Sequence, residues 1–585
     1  MKKLCILLAL TLLMSCVSFV PGAFAKESTY AQTLFDQSKP ITINIIMEQE
    51  AWDHMIATAS DEEYSACDME VNGVLYQNVA IRPKGNSSLA SVTSLGSERY
   101  SWRVKFDKYE KKRTCDGLDV LILNNGFKDP GQLREALAYD MYAFLEADAS
   151  LYNYAIVYVN GEYFGCYLAL EGVDESFAER NYGHDDGNLY KPEISGQAKK
   201  NKANDADEDG QAADDSGNSF GGSFGGQATQ QTEGTENTLP AAPEQGDAQA
   251  ERPEASEDGQ SSGSRGGQAT EGDGTAASSG ASSGESAGQA ADGTGDSSGR
   301  QAPSTSNDDR EGASSGQGFT FNFGGGGGTQ SAMALNYVGD DLESYQGIWD
   351  SAKFKSDEED YARVVEALKH VCQGDSITDY IDTDNLLKYF AIQTFIYNHD
   401  GLTGTVTHNY YLYEEDGKVN LIPWDMNESF TVSGNGSDYV NFPIDTPFTV
   451  SDLSQRSFFM ALLADEECLA KYHEYLRQLS EEYALGGALE ETIARIRGMI
   501  DTYMESDPTK FCSYDEYEAA ARSLLAAIQL RAQSVLGQLT GEIPSTRDGQ
   551  SAEPEKLLDT SDADLSGLIS GVGMGFNMGR MPGMR

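Results

Sequence analysis

Residues 384–429 read DNLLKYFAIQTFIYNHDGLTGTVTHNYYLYEEDGKVNLIPWDMNES, and the rest of the chain is organised around them. Leu386, Leu387, Phe390, Ile392, Phe395 and Ile396 recur at helical spacing, with Thr383 or Asp384 as the expected N-cap. The helix delivers the chain to Asn398-His399-Asp400, and a loop with two glycines follows. NYYLY (409–413) and KVNLIPWD (418–425) then read as two strands joined through Asp416-Gly417, a strong hairpin signal.

A hairpin of that register returns Asp425 to the side of Asn409. Two oxygen donors at adjacent strand ends suit a hard divalent cation that completes its shell with water and phosphate oxygens. Asp400, on the loop before them, is placed to act on a hydroxyl. Asn and Asp are also ordinary turn residues. Here, however, three of them flank one hairpin, and their order (an acid, an amide for metal, a hairpin, a second acid) is the order of catalytic parts in protein kinases, without the HRD or DFG letters. Asn427 is an alternative ligand, while His399 and His408 read as structural or exposed.

Working outward, residues 340–540 carry further helical patterns. SDEEDYARVVEALKHV places Val364, Val365, Leu368 and Val371 on one stripe, and residues 451–480 and 484–540 hold three or four more helices. Upstream, residues 26–39 read as a polar lead-in and 40–50 alternate like a strand. An Asn72-Gly73 turn joins two strands ending at RPKGNSS (82–88). In YSWRVKFDKY, Trp102, Val104 and Phe106 lie on one face, and Arg103 and Lys105 on the other. GLDVLILNNG is an apolar strand, residues 131–147 form a helix, and a second hairpin turns at Asn160-Gly161.

Between these halves, residues 195–331 are dominated by Gly, Ser, Ala, Gln, Asp and Glu. Such a composition cannot bury enough surface to offset its ordering entropy, so the segment reads as a disordered insertion. Residues 541–585 read as a flexible tail ending in GVGMGFNMGRMPGMR.

The chain has 585 residues and a formal net charge of −51, with 93 acids against 42 Lys plus Arg, which argues against nucleic-acid binding through bulk electrostatics. Residues 1–25 have the form of a signal peptide: two lysines, an apolar run, then Ala23-Phe24-Ala25. Leu13-Met14-Ser15-Cys16 loosely resembles a lipoprotein cleavage site. Secretion after Ala25 is the expectation, with cell-surface or spore-surface association open. Six cysteines follow the leader without metal-finger spacing, and disulfides and free thiols are both open.

Taken together, RPKGNSS (82–88), WRVKFD (102–107), the Leu133-Arg134 helix start, VNGEYFGCYLALEGVD (159–174), GNLYKP (187–192), NHDGLTGTVTHNYYLY (398–413) and PWDMN (423–427) resemble the spore coat protein H (CotH) kinase family. The resemblance implies an α+β, atypical protein kinase-like two-lobed fold. Its β-rich N-lobe would be residues 40–194 and its mainly helical C-lobe residues 332–540. It also implies transfer of the γ-phosphate of ATP, with Mg²⁺ or Mn²⁺, to Ser or Thr of secreted, surface or spore-coat proteins. Carried over by position, Asp400 is the catalytic Asp that orients or deprotonates the acceptor hydroxyl, and Asn409 and Asp425 are the metal ligands. Lys105 contacts the nucleotide phosphates, the loop with Arg82, Lys84, Gly85 and Ser87 covers them, and Glu171 meets the adenine at a hinge. Glu135 is a positional candidate for the partner of Lys105, and the Ser-rich insertion offers acceptor hydroxyls of its own. Two other readings stand beside this one: a non-catalytic pseudokinase or surface-binding module, and nucleotidyl transfer on the same fold.

Overall fold

In the computed structural model, residues 28–85, 87–193, 327–404 and 407–568 are described. The proposed leader, the insertion up to residue 326 and the tail from residue 569 lie outside them.

The first half is built on strands. After a short helix α1 (Thr29–Thr33), seven strands close a barrel in the order β1-β2-β3-β4-β5-β7-β6. They are β1 (Ile41–Ile46), β2 (Ser65–Val71), β3 (Val74–Lys84), β4 (Ser101–Lys105), β5 (Val120–Asn124), β6 (Tyr152–Val159) and β7 (Glu162–Glu171). Parallel pairing of β1 with β6 closes the ring, and the other pairs are antiparallel. Four helices interrupt the strands or follow them: α2 (Gln49–Ala57), α3 (Ser87–Ser94), α4 (Arg134–Phe144) and α5 (Glu175–Tyr182). Asn72-Gly73 and Asn160-Gly161 take positive φ at both positions, which gives each two-residue turn the twist a hairpin needs.

Strand alternation separates two cores. Ile43, Met69, Ile81, Trp102, Val104, Leu121 and Leu123 fill the barrel interior. The intervening residues Val120, Ile122, Tyr154, Ile156, Leu168 and Leu170 face outward, into the core of the second half. This is why β5 reads as unbroken apolar sequence: both of its faces are buried.

The second half is helical around a small sheet. Strand β8 (Asn188–Tyr190) precedes the insertion. After it come α6 (Glu358–Gln373), α7 (Thr383–Ile396), β9 (Tyr410–Glu415), β10 (Lys418–Pro423), α8 (Ser457–Ala464), α9 (Glu466–Gln478), α10 (Ala488–Ser506) and α11 (Tyr514–Thr540). The sheet order β10-β9-β8 joins chain from either side of the insertion, and both flanks belong to one compact unit. Asp416 and Gly417 have φ of 50° and 81°, as a two-residue hairpin requires. The N-cap of α7 is Asp382, whose carboxylate accepts from Asn385 N, one residue earlier than Thr383. That helix is buried on nearly all sides and is the central element of the half.

Barrel and helices are tied by Arg99 and Asp507, an ion pair at 2.8 Å whose side chains are fully buried. Asp507 Oδ2 also accepts from Cys166 N on β7. The fold is thus mixed α+β, a seven-stranded barrel with a helical C-terminal region.

Two features differ from the sequence reading, and the state of the cysteines, open in that reading, is given by the structure. The lead-in is anchored, since Tyr30, Leu34 and Phe35 are buried. Residues 541–568 are ordered as well, with a helix α12 (Arg547–Ala552) and buried Leu565 and Leu568, so the flexible-tail expectation does not hold there. The six cysteines Cys67, Cys115, Cys166, Cys372, Cys468 and Cys512 are all free thiols.

Candidate functional site

α7 ends at Tyr397, whose left-handed backbone (φ 51°, ψ 56°) turns the chain into the loop that carries Asp400. That loop is braced from inside. Asn398 Nδ2 donates to Gln393 Oε1 at 2.9 Å, and Thr403 Oγ1 donates to the Asn398 carbonyl at 3.2 Å. Gly404 is packed so closely that a Cβ there would lie 1.6 Å from the His399 carbonyl oxygen, so only glycine closes the turn.

The β9–β10 register ends at Tyr410 opposite Pro423, which leaves Asn409 and Asp425 just past adjacent strand ends. Both adopt left-handed backbone, φ 64° and 56°. Asn and Asp tolerate that region better than other residues, but it still carries strain, and strain of this kind gathers at functional sites. Asn409 Nδ2 donates to Asp400 Oδ2 at 3.0 Å and to the Asp400 carbonyl at 2.9 Å. Both bonds use the amide nitrogen and neither uses Oδ1. Burial and then the Asp425 charge push Asp400 up to about 6, with His408 pulling the other way.

Across from these groups stands the end of β3. Lys84 Nζ donates to Asn124 Oδ1 at 2.8 Å, and Asn124 Nδ2 donates to both Glu135 oxygens at 3.0 and 2.9 Å. The lysine also lies 5.4 Å over the Trp424 ring. Burial lowers its pKa, opposed by the charges of Asp425 and Glu135. Glu135 is pushed up to about 7, first by burial and then by Asp425. A second cation, Lys191, pairs with Glu193 at 2.7 Å and sits 5.9 Å from Trp424. Burial lowers its pKa, but Glu193, Tyr411 and Asp425 outweigh that and hold it above the ordinary value. Lys128, with φ 66°, ion-pairs with Glu428 three residues past Asp425.

Asp400, Asn409, Asp425 and Lys84 therefore lie together, whereas the sequence reading set Lys105 opposite the three, and the other expected residues are placed differently. Lys105 pairs with Asp107 at 3.4 Å. Burial works against its charge, but Asp174, Asp107 and Asp119 outweigh it and raise its pKa. The lysines that feel the Asp425 charge are Lys84 and Lys191, not Lys105, and the glutamate behind Lys84 is Glu135. Arg82 is buried, ion-paired with Glu62 and stacked 5.3 Å from Tyr64. Gly85 takes φ +130° and a Cβ there would lie 2.6 Å from Ser88 Oγ, while Ser87 is exposed at the start of α3.

Glu171 does not open onto this space. Its Oε1 accepts from Tyr30 OH at 2.6 Å and Arg180 Nε at 2.8 Å, and its Oε2 from Leu151 N at 3.0 Å and Arg180 Nη2 at 2.6 Å. With all four bonds made inside the protein it acts as a lock, and the hinge expectation fails for that reason. Asn124, Lys191 and Lys128 were missed. GNLYKP carried Lys191, and LILNNG carried Asn124, but neither local pattern distinguishes a site residue from a strand end.

Among the described residues no group of three or more His, Cys, Asp or Glu side chains is arranged to hold a metal. A cation here would take the Asp425 carboxylate and the Asn409 amide oxygen, and that donor set fits Mg²⁺, which keeps water and phosphate oxygens in its remaining positions. Likewise, among the described residues no helix is long and apolar enough to cross a membrane.

A family model described as "CotH kinase protein" matches residues 81–237 and 303–535. Those ranges include Lys84, Asn124, Glu135, Lys191 and the whole Asp400–Asn409–Asp425 group. No curated protein matches the chain. With most of its length matched, the chain belongs to the CotH kinase protein family.

Proposed function

We propose that the protein is a kinase that transfers the γ-phosphate of ATP to Ser or Thr hydroxyls of a protein acceptor. The reading takes the barrel and the helical region as the two lobes of an atypical kinase-like fold. One observation carries it: a lysine backed by a buried glutamate on the barrel side interacts with Asp425, beside an amide-tethered acid. Phosphoryl transfer needs cations for the phosphate tail, an oxygen-rich cation site and a base near the acceptor, and it needs little else from the protein.

In this reading Lys84, and not Lys105, holds the phosphates, with Asn124 and Glu135 fixing its ammonium. Lys191 adds a second positive charge at the same edge. Mg²⁺, or Mn²⁺, would be held by Asp425 and Asn409 Oδ1 and would supply charge neutralisation on the phosphates. Asp400 accepts the proton of the acceptor hydroxyl as the hydroxyl oxygen bonds to the γ-phosphorus. The bond from that phosphorus to the β–γ bridging oxygen breaks, and ADP leaves. A carboxylate raised to about 6 by burial is well matched to take that proton near neutral pH. The leader read at residues 1–25 supports acceptors outside the cell, and the Ser-rich insertion is one candidate.

The test is incubation with ATP labelled at the γ or at the α phosphate, using wild type and Asp400→Asn. Protein-bound γ label, lost in the variant by a factor of about 10²–10⁴, supports the kinase. Retained α label would instead mean nucleotidyl transfer. Absence of both labels would leave a binding module.

A further inference from the structure

Beyond Thr540 the chain runs back over the helical region along a fixed course. Arg547 donates to the Val450 carbonyl at 2.9 Å and also to that of Phe448. Asn441 and Leu558 bond each other twice, at 3.0 and 2.9 Å. Ser523 Oγ donates to the Asp564 carbonyl at 2.8 Å, and Leu565 and Leu568 enter the main core. At Gly567 the backbone lies so close to α11 that a Cβ would be 2.8 Å from Ala520 Cα.

The course ends on Arg134. Its Nη2 donates to the Leu568 carbonyl at 2.8 Å, and its Nη1 donates to Thr431 Oγ1 at 3.2 Å. Thr431 Oγ1 in turn donates to the Glu428 carbonyl at 2.8 Å. Arg134 is 1 % exposed. A guanidinium this deeply buried is unfavourable unless its donors are satisfied, so the partners it keeps are informative. They are the end of the C-terminal segment and the turn that follows Asp425. The next residue in sequence is Glu135, which fixes Lys84 through Asn124. The family match stops at residue 535, so this segment is an addition to the part of the chain that defines the family.

From this we infer that residues 541–568 form a strap that acts in cis, holding α4 in register with the Asp425 turn, with Arg134 as the positioning residue that couples them. Its effect on catalysis rests on the kinase reading above. Its effect on α4 does not.

Two variants of the full chain test it. Gly567→Val lifts the strap end off α11 without removing it. Arg134→Lys keeps the charge but loses the planar fork whose separate nitrogens reach Thr431 and Leu568. Hydrogen exchange without nucleotide is expected to rise about tenfold or more across residues 134–144 and 425–431 in both variants, with the remaining core unchanged. The kcat for γ-phosphate transfer is expected to fall about a hundredfold, as misplacement of positioning groups does, while KM for the acceptor holds. Should Gly567→Val fail to fold, Arg134→Lys carries both readouts. Unchanged exchange in residues 134–144 overturns the strap whatever the activity. An active wild type whose kcat survives both variants overturns the positioning role. A wild type without transferase activity sinks the kinase reading alone, and the exchange result still decides the strap.

Discussion

Glu135→Gln turns a carboxylate into an amide of nearly the same shape, and the structure assigns opposite signs to its effects on stability and activity. Glu135 is 5 % exposed, and burial together with the Asp425 charge moves its pKa from 4.5 to about 7. Between those values the folded protein holds a proton that the unfolded chain has lost, so raising the pH removes stability. The whole displacement corresponds to about 3 kcal/mol, of which about 2.5 kcal/mol falls between pH 5 and 8. Glutamine carries no charge at either pH. The variant should match wild type closely at pH 5 and exceed it by about 2–3 kcal/mol at pH 8. Urea unfolding in chelator, without nucleotide, measures this, and staying at or above pH 5 avoids precipitation near the pI of 4.3. Phosphate transfer should fall by about 10–10² because Lys84 loses its counter-charge. A buried charge that weakens the fold while supporting transfer would mark a functional group, not a structural one. Parallel stability profiles for the two proteins, or a variant that is weaker at pH 8, would refute the argument and make Glu135 a structural residue.

Lys84→Met and Lys105→Met separate the two lysines: the first should lower transfer by about 10²–10³. The second should leave transfer within a few-fold and reduce stability by about 1 kcal/mol, since Lys105 answers Asp174, Asp107 and Asp119. Asp507→Ala strands the Arg99 guanidinium and the Cys166 amide, so denaturant unfolding should report a loss of about 3–5 kcal/mol. Gly404→Ala cannot close the turn over the His399 carbonyl; γ-label transfer should collapse, while the unfolding free energy changes by about 1–3 kcal/mol.

What could be read from sequence was local. Asn72-Gly73, Asn160-Gly161 and Asp416-Gly417 each specify a two-residue turn by their own chemistry, and all three form one. The approach of Asn409 to Asp425 followed because a two-residue turn fixes the register of every pair behind it. The lysine was different. Lys84 pairs with Ser101 and Lys105 with Ala80, so both lie on the same face of the β3–β4 ladder but four positions apart, roughly 13 Å. Alternation assigns the face but not the end, and the end is chosen by where a hairpin some three hundred residues later comes to rest. Glu171 failed for a related reason. Its partners Tyr30 and Arg180 lie on separate elements, and the first sits in a segment whose polarity hid a buried tyrosine.

The insertion bears on how the site is assembled. A connection of roughly 130 residues between the two strands flanking it is long for a single folded unit. Closure entropy grows only with the logarithm of length, however, so even a fully flexible connection of this length costs only about 3 kcal/mol more than a short loop. Pairing of β8 with β9 works against that, reinforced where Asn188 Nδ2 and Arg363 Nη2 bond the fully buried Glu414 at 2.8 and 3.1 Å. The same pairing also shapes the candidate site. It places Lys191, the first residue past β8, over Trp424, the first residue past β10, and so within the field of Asp425. One charge of the site is thus supplied by chain leading into the insertion and its counterpart by chain well beyond it. The two meet only if the strands on either side of the insertion join, so the sheet that makes the insertion tolerable is also the sheet that completes the site.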